Sequence, residues 1–100
     1  VEIINYFPNF SIDIVHTPGH TEGSVCINID NCLFTGDTLF RGKVGRVDLP
    51  GGDAGCLKKS LLHLSKVPKK TKIYPGHGAE STIGHELEFN YDFKQAIEWD

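Results

Sequence analysis

Residues 32–37 read CLFTGD, an apolar strand followed by a glycine and then a carboxylate. The same order recurs in residues 11–20, SIDIVHTPGH, and in residues 72–78, KIYPGHG, where a histidine follows the glycine. Glycine lets a chain leave a strand in a sharp turn, because it adopts positive φ without steric cost. The side chain that follows can then lie at the rim of a sheet, where open α/β folds place their sites. The pattern therefore predicts three polar side chains at one rim.

The three side chains are His20, Asp37 and His77, and their chemistry suits a metal ion. Imidazole nitrogen and carboxylate oxygen are ligands of zinc and of similar hard-to-borderline metals. A single histidine in a turn is more often satisfied by a backbone carbonyl, but three ligand types at three glycine-marked strand ends favour the metal interpretation. We therefore predict that these residues are metal ligands.

The composition is that of one small globular domain. The 100 residues are 39% apolar and 23% charged, which is ordinary for a globular protein. A net charge of −3 provides no electrostatic surface for nucleic acid or an anionic membrane, and no apolar run approaches the roughly 20 residues that span a bilayer. The three cysteines form no Cys-x-x-Cys pair, which favours buried free thiols and a reducing, cytoplasmic compartment.

Hydrophobic patterning predicts an α/β order of elements. Strands are expected at Glu2–Phe7 (closed by Pro8-Asn9), Ser11–Val15, Ser24–Ile29, Cys32–Thr35 and Lys72–Tyr74, with Asp30-Asn31 as a tight turn. Arg41–Gly52 is expected to be a loop. A helix capped by Asp53, with Leu57, Leu61, Leu62 and Leu64 as its apolar stripe, should end at Pro68. A helix capped by Ser81 or Thr82 should run towards Asn90, and Tyr91–Asp100 should also be helical.

Several of these stretches together resemble a known family. Thr17–Thr21, Gly36–Phe40 and Tyr74–Gly78 resemble the third, fourth and fifth motifs of the metallo-β-lactamase superfamily. Gly42–Asp53, and Ser81–Glu86 followed by Asn90, are similar to the compact glyoxalase II-like hydrolases, relatives of hydroxyacylglutathione hydrolase. The resemblance covers about residues 11 to 90 in order and spacing.

The resemblance implies a fold and a dinuclear metal site. The fold would be α/β, the C-terminal half of an αβ/βα sandwich with a mostly antiparallel sheet and helices on one face. His20 would bind the first metal, His77 the second, and Asp37 would bridge both. The two oxygens of a carboxylate can hold two cations at the ~3.5–4 Å separation of two-metal hydrolases. The metals would be two zinc ions per full-length domain, with iron or manganese as alternatives.

The resemblance also implies the reaction. A hydroxide bridging the metals, at the catalytic Asp37, would attack the carbonyl carbon of a small-molecule thioester such as a 2-hydroxyacyl-glutathione. Arg46 would hold the thiol half of the substrate, unless it forms a salt bridge with Asp48 or Asp53 that only fixes the loop. Thr21 and Thr38 would orient the ligands, although their hydroxyls are equally suited to turn hydrogen bonds.

The other histidines are interpreted mainly as structural. His16 lies four residues before His20, but Pro18-Gly19 excludes the helix on which such a pair could share a metal. His63 lies in the leucine-striped helix. His85, near the start of a later helix, is left open between a structural role and contact with substrate.

One superfamily motif is absent from the sequence. His-x-His-x-Asp-His, which would complete the ligands of both metals, does not occur in the 100 residues. The sequence also begins at Val1 and has no methionine, so residues 1–100 are interpreted as a single partial domain that is inactive alone. Two alternatives to a thioester hydrolase remain: an iron-dependent glutathione persulfide dioxygenase, and a non-catalytic domain of the same fold. The upstream sequence and the bound metal would discriminate between them.

Overall fold

A computed structural model of the chain describes residues 2–4 and 12–98. The strands are β1 (Glu2–Ile4), β2 (Ile12–His16), β3 (Val25–Ile29), β4 (Cys32–Gly36), β5 (Leu39–Phe40), β6 (Lys43–Val44), β7 (Lys72–Pro75) and β8 (Ser81–Thr82). The helices are α1 (Ala54–Leu64), α2 (Ile83–Phe89) and α3 (Tyr91–Glu98). None of the helices in these described ranges is long and apolar enough to cross a membrane.

The main sheet has the strand order β1-β2-β3-β4-β7-β8. Every neighbouring pair is antiparallel except β4 and β7, which run parallel because the chain passes through α1 between them. Strands β5 and β6 form a separate two-stranded hairpin. The predicted α/β fold with a mostly antiparallel sheet is confirmed.

The helices pack on one face of the main sheet. Side chains from β3, β4, β5 and β7 form a continuous buried cluster with side chains from all three helices: Cys26, Leu33, Leu39, Leu57, Leu61, Leu64, Ile73, Ile83 and Phe93. Burial raises the pKa of the Cys26 thiol, so this group is a neutral part of the core. Cys32 and Cys56 are half-buried, and all three are free thiols.

The opposite face of the sheet is apolar and lacks a helical cover in the described residues. The strand register aligns Ile14, Ile27, Phe34 and Tyr74 across four strands. The rings of Phe34 and Tyr74 stack with centroids 5.4 Å apart, yet Phe34 remains 43% exposed. This arrangement leaves a row of apolar side chains in contact with solvent.

Helix α1 begins at its predicted cap but ends earlier than predicted. The Asp53 carboxylate accepts a hydrogen bond from the amide of Cys56 at 2.9 Å, which caps the first turn and lowers the pKa of Asp53. The helix ends at Leu64, before Pro68. Leu62 is half-buried and does not join the core cluster. Thr82 caps α2 by accepting from the amide of His85.

The predicted tight turn at Asp30-Asn31 is confirmed, whereas the β5–β6 hairpin and β8 were not predicted. Asp30 and Asn31 adopt the positive φ predicted for a tight turn, 48° and 65°. Arg41–Gly52 is not wholly a loop, because Lys43–Val44 pairs with Leu39–Phe40 as the β5–β6 hairpin. Strand β8 was also not predicted, since two residues give no alternation to detect. The predicted continuation of the first strand beyond Ile4, its Pro8-Asn9 end and residues 99–100 lie outside the described residues.

Candidate metal centre

The three predicted ligands lie at one rim because of the sheet topology. Strands β2, β4 and β7 run in the same direction, so their C-terminal ends meet at one edge. His20 follows β2, Asp37 follows β4 and His77 follows β7. The pairing of β4 with β7 shifts register just before Asp37, at a position where an irregular strand redirects the next side chain.

Asp37 lies between the two histidines and contacts each with a different oxygen. Its Oδ2 is 3.7 Å from Nε2 of His20, and its Oδ1 is 3.6 Å from Nε2 of His77. Both distances are longer than a direct hydrogen bond. The two oxygens of the carboxylate are therefore oriented towards two different imidazole nitrogens, as those of a bridging ligand would be.

A backbone contact selects the tautomer of the neutral His20 ring. Nδ1 of His20 lies 2.9 Å from the carbonyl oxygen of Arg46. A carbonyl only accepts, so Nδ1 donates this hydrogen bond, and the neutral ring then has its lone pair on Nε2. In that state the lone pair and the Asp37 carboxylate face each other as two acceptors. A cation between them satisfies both, and metal-binding histidines usually hold their other nitrogen in this way.

Two glycines allow the backbone to pack against Asp37. A Cβ at Gly45 would overlap the carbonyl oxygen of Asp37 and lie 3.3 Å from Cβ of His20. A Cβ at Gly76 would lie 3.3 Å from Oδ1 of Asp37, on the side of His77. The amide of Gly76 also donates to the carbonyl of Gly36 at 2.8 Å. Glycine is therefore needed at position 45, while a side chain at position 76 would crowd Asp37.

His77 is much less enclosed than His20. Its side chain is 82% exposed, against 20% for His20. Its ring lies beside the ring of Phe40, with centroids 6.5 Å apart and planes at 16°. Phe40 belongs to the β5–β6 hairpin, so the hairpin supports this side of the site.

The three predicted ligands line one open cavity of about 360 Å³. The remaining walls come from the hairpin and the segment after it: Phe40, Lys43, Val44 and Arg46. Nζ of Lys43 lies 5.2 Å from the centroid of the Phe40 ring, a cation–π contact. Sequence analysis missed Phe40 and the hairpin, although the Leu39–Phe40 and Lys43–Val44 pairs around Arg41-Gly42 carry a hairpin signal.

Arg46 lines this cavity but is engaged with another residue. Its Nε and Nη2 each donate to a carboxylate oxygen of Asp48 at 2.8 Å. The bidentate hydrogen bond lowers the pKa of Asp48 from 3.8 to about 2 and raises the pKa of Arg46. Both side chains are largely exposed, so water and salt weaken the pair and leave it exchangeable. The predicted salt bridge to Asp48 is therefore formed.

The hydroxyls of Thr21 and Thr38 contact other hydroxyls. Oγ1 of Thr21 lies 2.6 Å from Oγ of Ser24, and buried Oγ1 of Thr38 lies 3.4 Å from Oγ1 of Thr17. The Thr21 contact is local to its turn, whereas the Thr38 contact joins two segments that are distant in the sequence. Thr38 shapes the site through its backbone, because its carbonyl accepts from the amide of Gly45 at 2.9 Å.

The remaining histidines lie outside the cavity. His16 hydrogen-bonds the carbonyl of Glu22 at 2.7 Å, and together with His63 it lines a different cavity beside α1. The His85 ring packs at 4.8 Å against the ring of Phe89 and lies 3.9 Å from the carboxylate of Glu86. Neither arrangement brings these histidines to Asp37.

The described residues supply only part of a metal-ligand set. Within residues 2–4 and 12–98, no three His, Cys, Asp or Glu side chains are placed to hold one metal ion together. This agrees with one imidazole and one carboxylate oxygen on each side of Asp37, fewer than the three protein ligands usual at a catalytic zinc. The donor set fits two half-sites that share a carboxylate.

A fold with strand-end histidines around a shared aspartate defines a class of metal-dependent hydrolases, and the sequence comparison agrees. The sequence matches the metallo-beta-lactamase superfamily over residues 2–77. The chain belongs to this superfamily.

Relatives narrow the class to a hydrolase-type enzyme family. A probable metallo-hydrolase from Methanocaldococcus jannaschii is 42% identical over 93 residues, which are 90% of this chain and 44% of that protein. A hydroxyacylglutathione hydrolase from Haemophilus influenzae is 39% identical over 84 residues, which are 81% of this chain and 40% of that protein. The chain spans less than half of the length of these curated relatives.

Solved structures show the same fold. A protein crystallised in a di-iron-bound form superposes with a TM-score of 0.79 at 42% identity, over 81% of this chain and 42% of that chain. ETHE1 from Myxococcus xanthus superposes with a TM-score of 0.85 at 28% identity, over 96% of this chain and 46% of that chain. Metal ions are therefore expected in this family, and the di-iron neighbour shows that they need not be zinc.

Proposed function

We propose that the full-length protein is a metal-dependent hydrolase of thioesters, with 2-hydroxyacyl-glutathione as the leading substrate class. The observation that carries the proposal is Nε2 of His20 facing the Asp37 carboxylate at 3.7 Å, because in the neutral ring both atoms are acceptors and a cation between them would satisfy both. The hydroxyacylglutathione hydrolase among the relatives supports the choice of substrate.

The chain's own residues would hold the metals and leave space for the substrate. His20 and His77 would each contribute Nε2, and Asp37 would contribute its two carboxylate oxygens. When bound, divalent metals supply Lewis acidity and bring the ionisation of a coordinated water towards neutral pH. The Arg46 carbonyl favours the tautomer of the neutral His20 ring whose Nε2 has a lone pair available for a metal. Neutral imidazoles add no negative charge, so the Lewis acidity is preserved.

The open cavity can admit the acyl carbon and sulfur of a thioester to the rim. Hydrolysis adds the oxygen of water to the acyl carbon and breaks the carbon–sulfur bond. Of the two protons of water, one is taken up by the leaving thiolate to give a thiol, and the other is released as the acid product ionises to a carboxylate. Phe40 offers an apolar wall, and Arg46 is the cation proposed to hold an anionic group of the thiol half. Arg46 can exchange Asp48 for a substrate carboxylate because both side chains are solvent-exposed.

An iron-dependent glutathione persulfide dioxygenase is the second candidate. The di-iron-bound neighbour at 42% identity favours iron as a metal to test. A non-catalytic domain of the same fold is the third candidate, and the incomplete ligand set within residues 2–4 and 12–98 is consistent with it.

Metal analysis combined with activity tests separates these candidates. The full-length protein would be purified without added metal, analysed for zinc, iron and manganese, and assayed with lactoylglutathione and with glutathione persulfide. We expect two metals per protein and thioester hydrolysis that is lost with a chelator and restored by metal. Oxygen uptake with the persulfide, with one iron and no thioester hydrolysis, would favour the dioxygenase. Absence of metal and of both activities would leave the non-catalytic domain.

A further inference from the structure

Two fully buried polar side chains lie one helical turn apart at the end of α2. Glu86 and Asn90 are both 0% exposed, and their spacing of four residues places them on one side of the helix. A buried carboxylate is costly unless hydrogen bonds satisfy it. Both side chains therefore need hydrogen-bond partners inside the protein.

Both side chains bind the backbone of the β5–β6 hairpin. The amide of Gly42 donates to Oε1 of Glu86 at 2.7 Å. Nδ2 of Asn90 lies 3.2 Å from the Phe40 carbonyl, 3.0 Å from the Lys43 carbonyl and 2.9 Å from Oε1 of Glu86. The hairpin is thus held at three backbone groups by two side chains.

Neighbouring contacts fix the orientation of both groups. The amide of Phe93 donates to Oδ1 of Asn90 at 3.0 Å, so the amide nitrogen of Asn90 must face the hairpin. The hydroxyl of Ser81 donates to Oε2 of Glu86 at 2.5 Å and leaves Oε1 for Gly42 and Asn90. The orientation of both groups is therefore fixed, with the two hydrogens of Asn90 Nδ2 shared among three acceptors.

The hairpin in turn forms one side of the metal centre. Its Phe40 ring lies beside the exposed His77 ring, and Phe40 and Lys43 line the cavity around Asp37. His20 is held by a backbone carbonyl, whereas the ring contact of His77 in the described residues comes from the hairpin. A shift of the hairpin would therefore move the support of His77 and leave that of His20 in place.

We propose that Glu86 and Asn90 are positioning residues of the metal centre, which fix the β5–β6 hairpin so that Phe40 holds the His77 ring towards Asp37. The inference rests on the proposed role of His77 as a metal ligand. Neither residue touches the metal or the substrate. Their effect passes through the hairpin backbone and Phe40.

Asn90→Asp is the decisive variant, because it retains the shape and the Oδ1 acceptor for Phe93. It replaces the amide donor by a second carboxylate facing Glu86 and two carbonyls, so the hairpin loses its contacts at Phe40 and Lys43 and keeps only the one at Gly42. Glu86→Gln is the conservative counterpart: its oxygen can still accept from Gly42 and Asn90, and its amide can donate to a reoriented Ser81 hydroxyl. Leu64→Ala is the control for general destabilisation, since Leu64 is 0% exposed at the far end of α1 from the rim.

Zinc affinity of the full-length protein would be measured by calorimetry, and the His77 ring would be observed by NMR without metal. Asn90→Asp should weaken the binding step that depends on His77 by about tenfold or more and shift the His77 ring resonances. Glu86→Gln should stay within about threefold of the wild type. Leu64→Ala should lower the melting temperature with unchanged affinity and His77 resonances.

Three outcomes would overturn the proposal. The first is an Asn90→Asp variant with unchanged affinity and His77 resonances. The second is an equal loss of affinity in Leu64→Ala at matched melting temperature, and the third is a Glu86→Gln variant as impaired as Asn90→Asp. If Asn90→Asp does not fold, Phe40→Leu tests the same path without touching the network. If the wild type binds no metal, the proposed function fails, and the His77 resonances alone decide the positioning proposal.

Discussion

His20 and His77 lie at nearly equal distances from Asp37, 3.7 and 3.6 Å, yet the protein holds them differently. The His20 side chain is 20% exposed and is anchored by the Arg46 carbonyl, whereas the His77 side chain is 82% exposed and lies beside Phe40. One half of the site is organised by backbone contacts. The other half depends on a hairpin that must itself be held.

This difference implies that the two metal sites proposed around Asp37 are not equivalent, although they would share its carboxylate. A ligand already held in its binding geometry loses little freedom when a metal arrives, so its site should bind more tightly. A more exposed ligand with fewer contacts, such as His77, must lose more conformational freedom when the metal binds. The two sides of Asp37 should therefore differ in affinity, in sensitivity to mutation and in what supports them.

Asp37 belongs to both halves, so its replacement should have the largest effect. In the full-length protein, Asp37→Ala should reduce turnover by more than about 100-fold. That is the upper end of the loss expected when a residue that only hydrogen-bonds a metal ligand is removed. Arg46→Ala should mainly raise KM, by about tenfold, because it removes one charged contact to substrate. Steady-state kinetics of the two variants test this order. Equal losses in kcat would contradict the bridging role of Asp37.

The two histidine variants test the asymmetry directly. With zinc titrated into the metal-free full-length protein, His20→Ala should remove the tighter binding step and His77→Ala the weaker one. Each loss should be at least about tenfold in affinity for the step concerned. Calorimetry resolves the two steps. If His77→Ala removes the tighter step, the His20 side is not the tighter metal site.

Gly45 tests whether close backbone packing organises the His20 side. A Cβ there would overlap the Asp37 carbonyl, so Gly45→Ala should lower the free energy of unfolding by about 1–3 kcal/mol. It should also weaken the His20-dependent metal step. Gly23→Ala is the matched control in the neighbouring loop, because a Cβ at Gly23 meets nothing within 4 Å. Thermal unfolding and zinc titration of both variants measure the difference, and similar behaviour of the two would count against tight packing.

The smallest expected effect concerns Arg46, whose backbone anchors His20 while its side chain binds Asp48. Arg46→Gln keeps the carbonyl, so the His20-dependent metal affinity should not change, while the pKa of Asp48 should rise from about 2 towards 3.8. Because the folded-state pKa is depressed, the stabilisation by this pair is present above about pH 3.8 and is lost as the pH falls towards 2. NMR titration of the Asp48 carboxyl checks both values. An unchanged pKa in Arg46→Gln would exclude the ion pair as its cause.

The parts of the site that follow strand ends could be predicted from sequence. His20, Asp37 and His77 each come after a glycine at the end of an apolar run, a local pattern that specifies both the turn and the direction of the next side chain. The cap of α1 at Asp53 is equally local. Such features need only a few neighbouring residues to be recognised.

The parts that depend on distant contacts could not be predicted in this way. The β5–β6 hairpin lies in a glycine-rich stretch that reads as a loop, and its anchors, Glu86 and Asn90, are more than 40 residues away. Their spacing of four residues was visible, but a polar pair on a helix is usually exposed to solvent. Burial, which reveals their role, is a property of the folded chain.

The parallel pairing of β4 with β7 has a consequence for the order in which the molecule folds. Leu33 pairs with Ile73, so this contact closes a loop of about 40 residues, whereas the β3–β4 hairpin closes across Asp30-Asn31. Local hairpins form early and long-range parallel contacts form late. Asp37 and His77 follow these two late-pairing strands, so we expect the site to be assembled near the end of folding. A metal bound there would then act mainly by slowing unfolding, with little effect on the rate of folding.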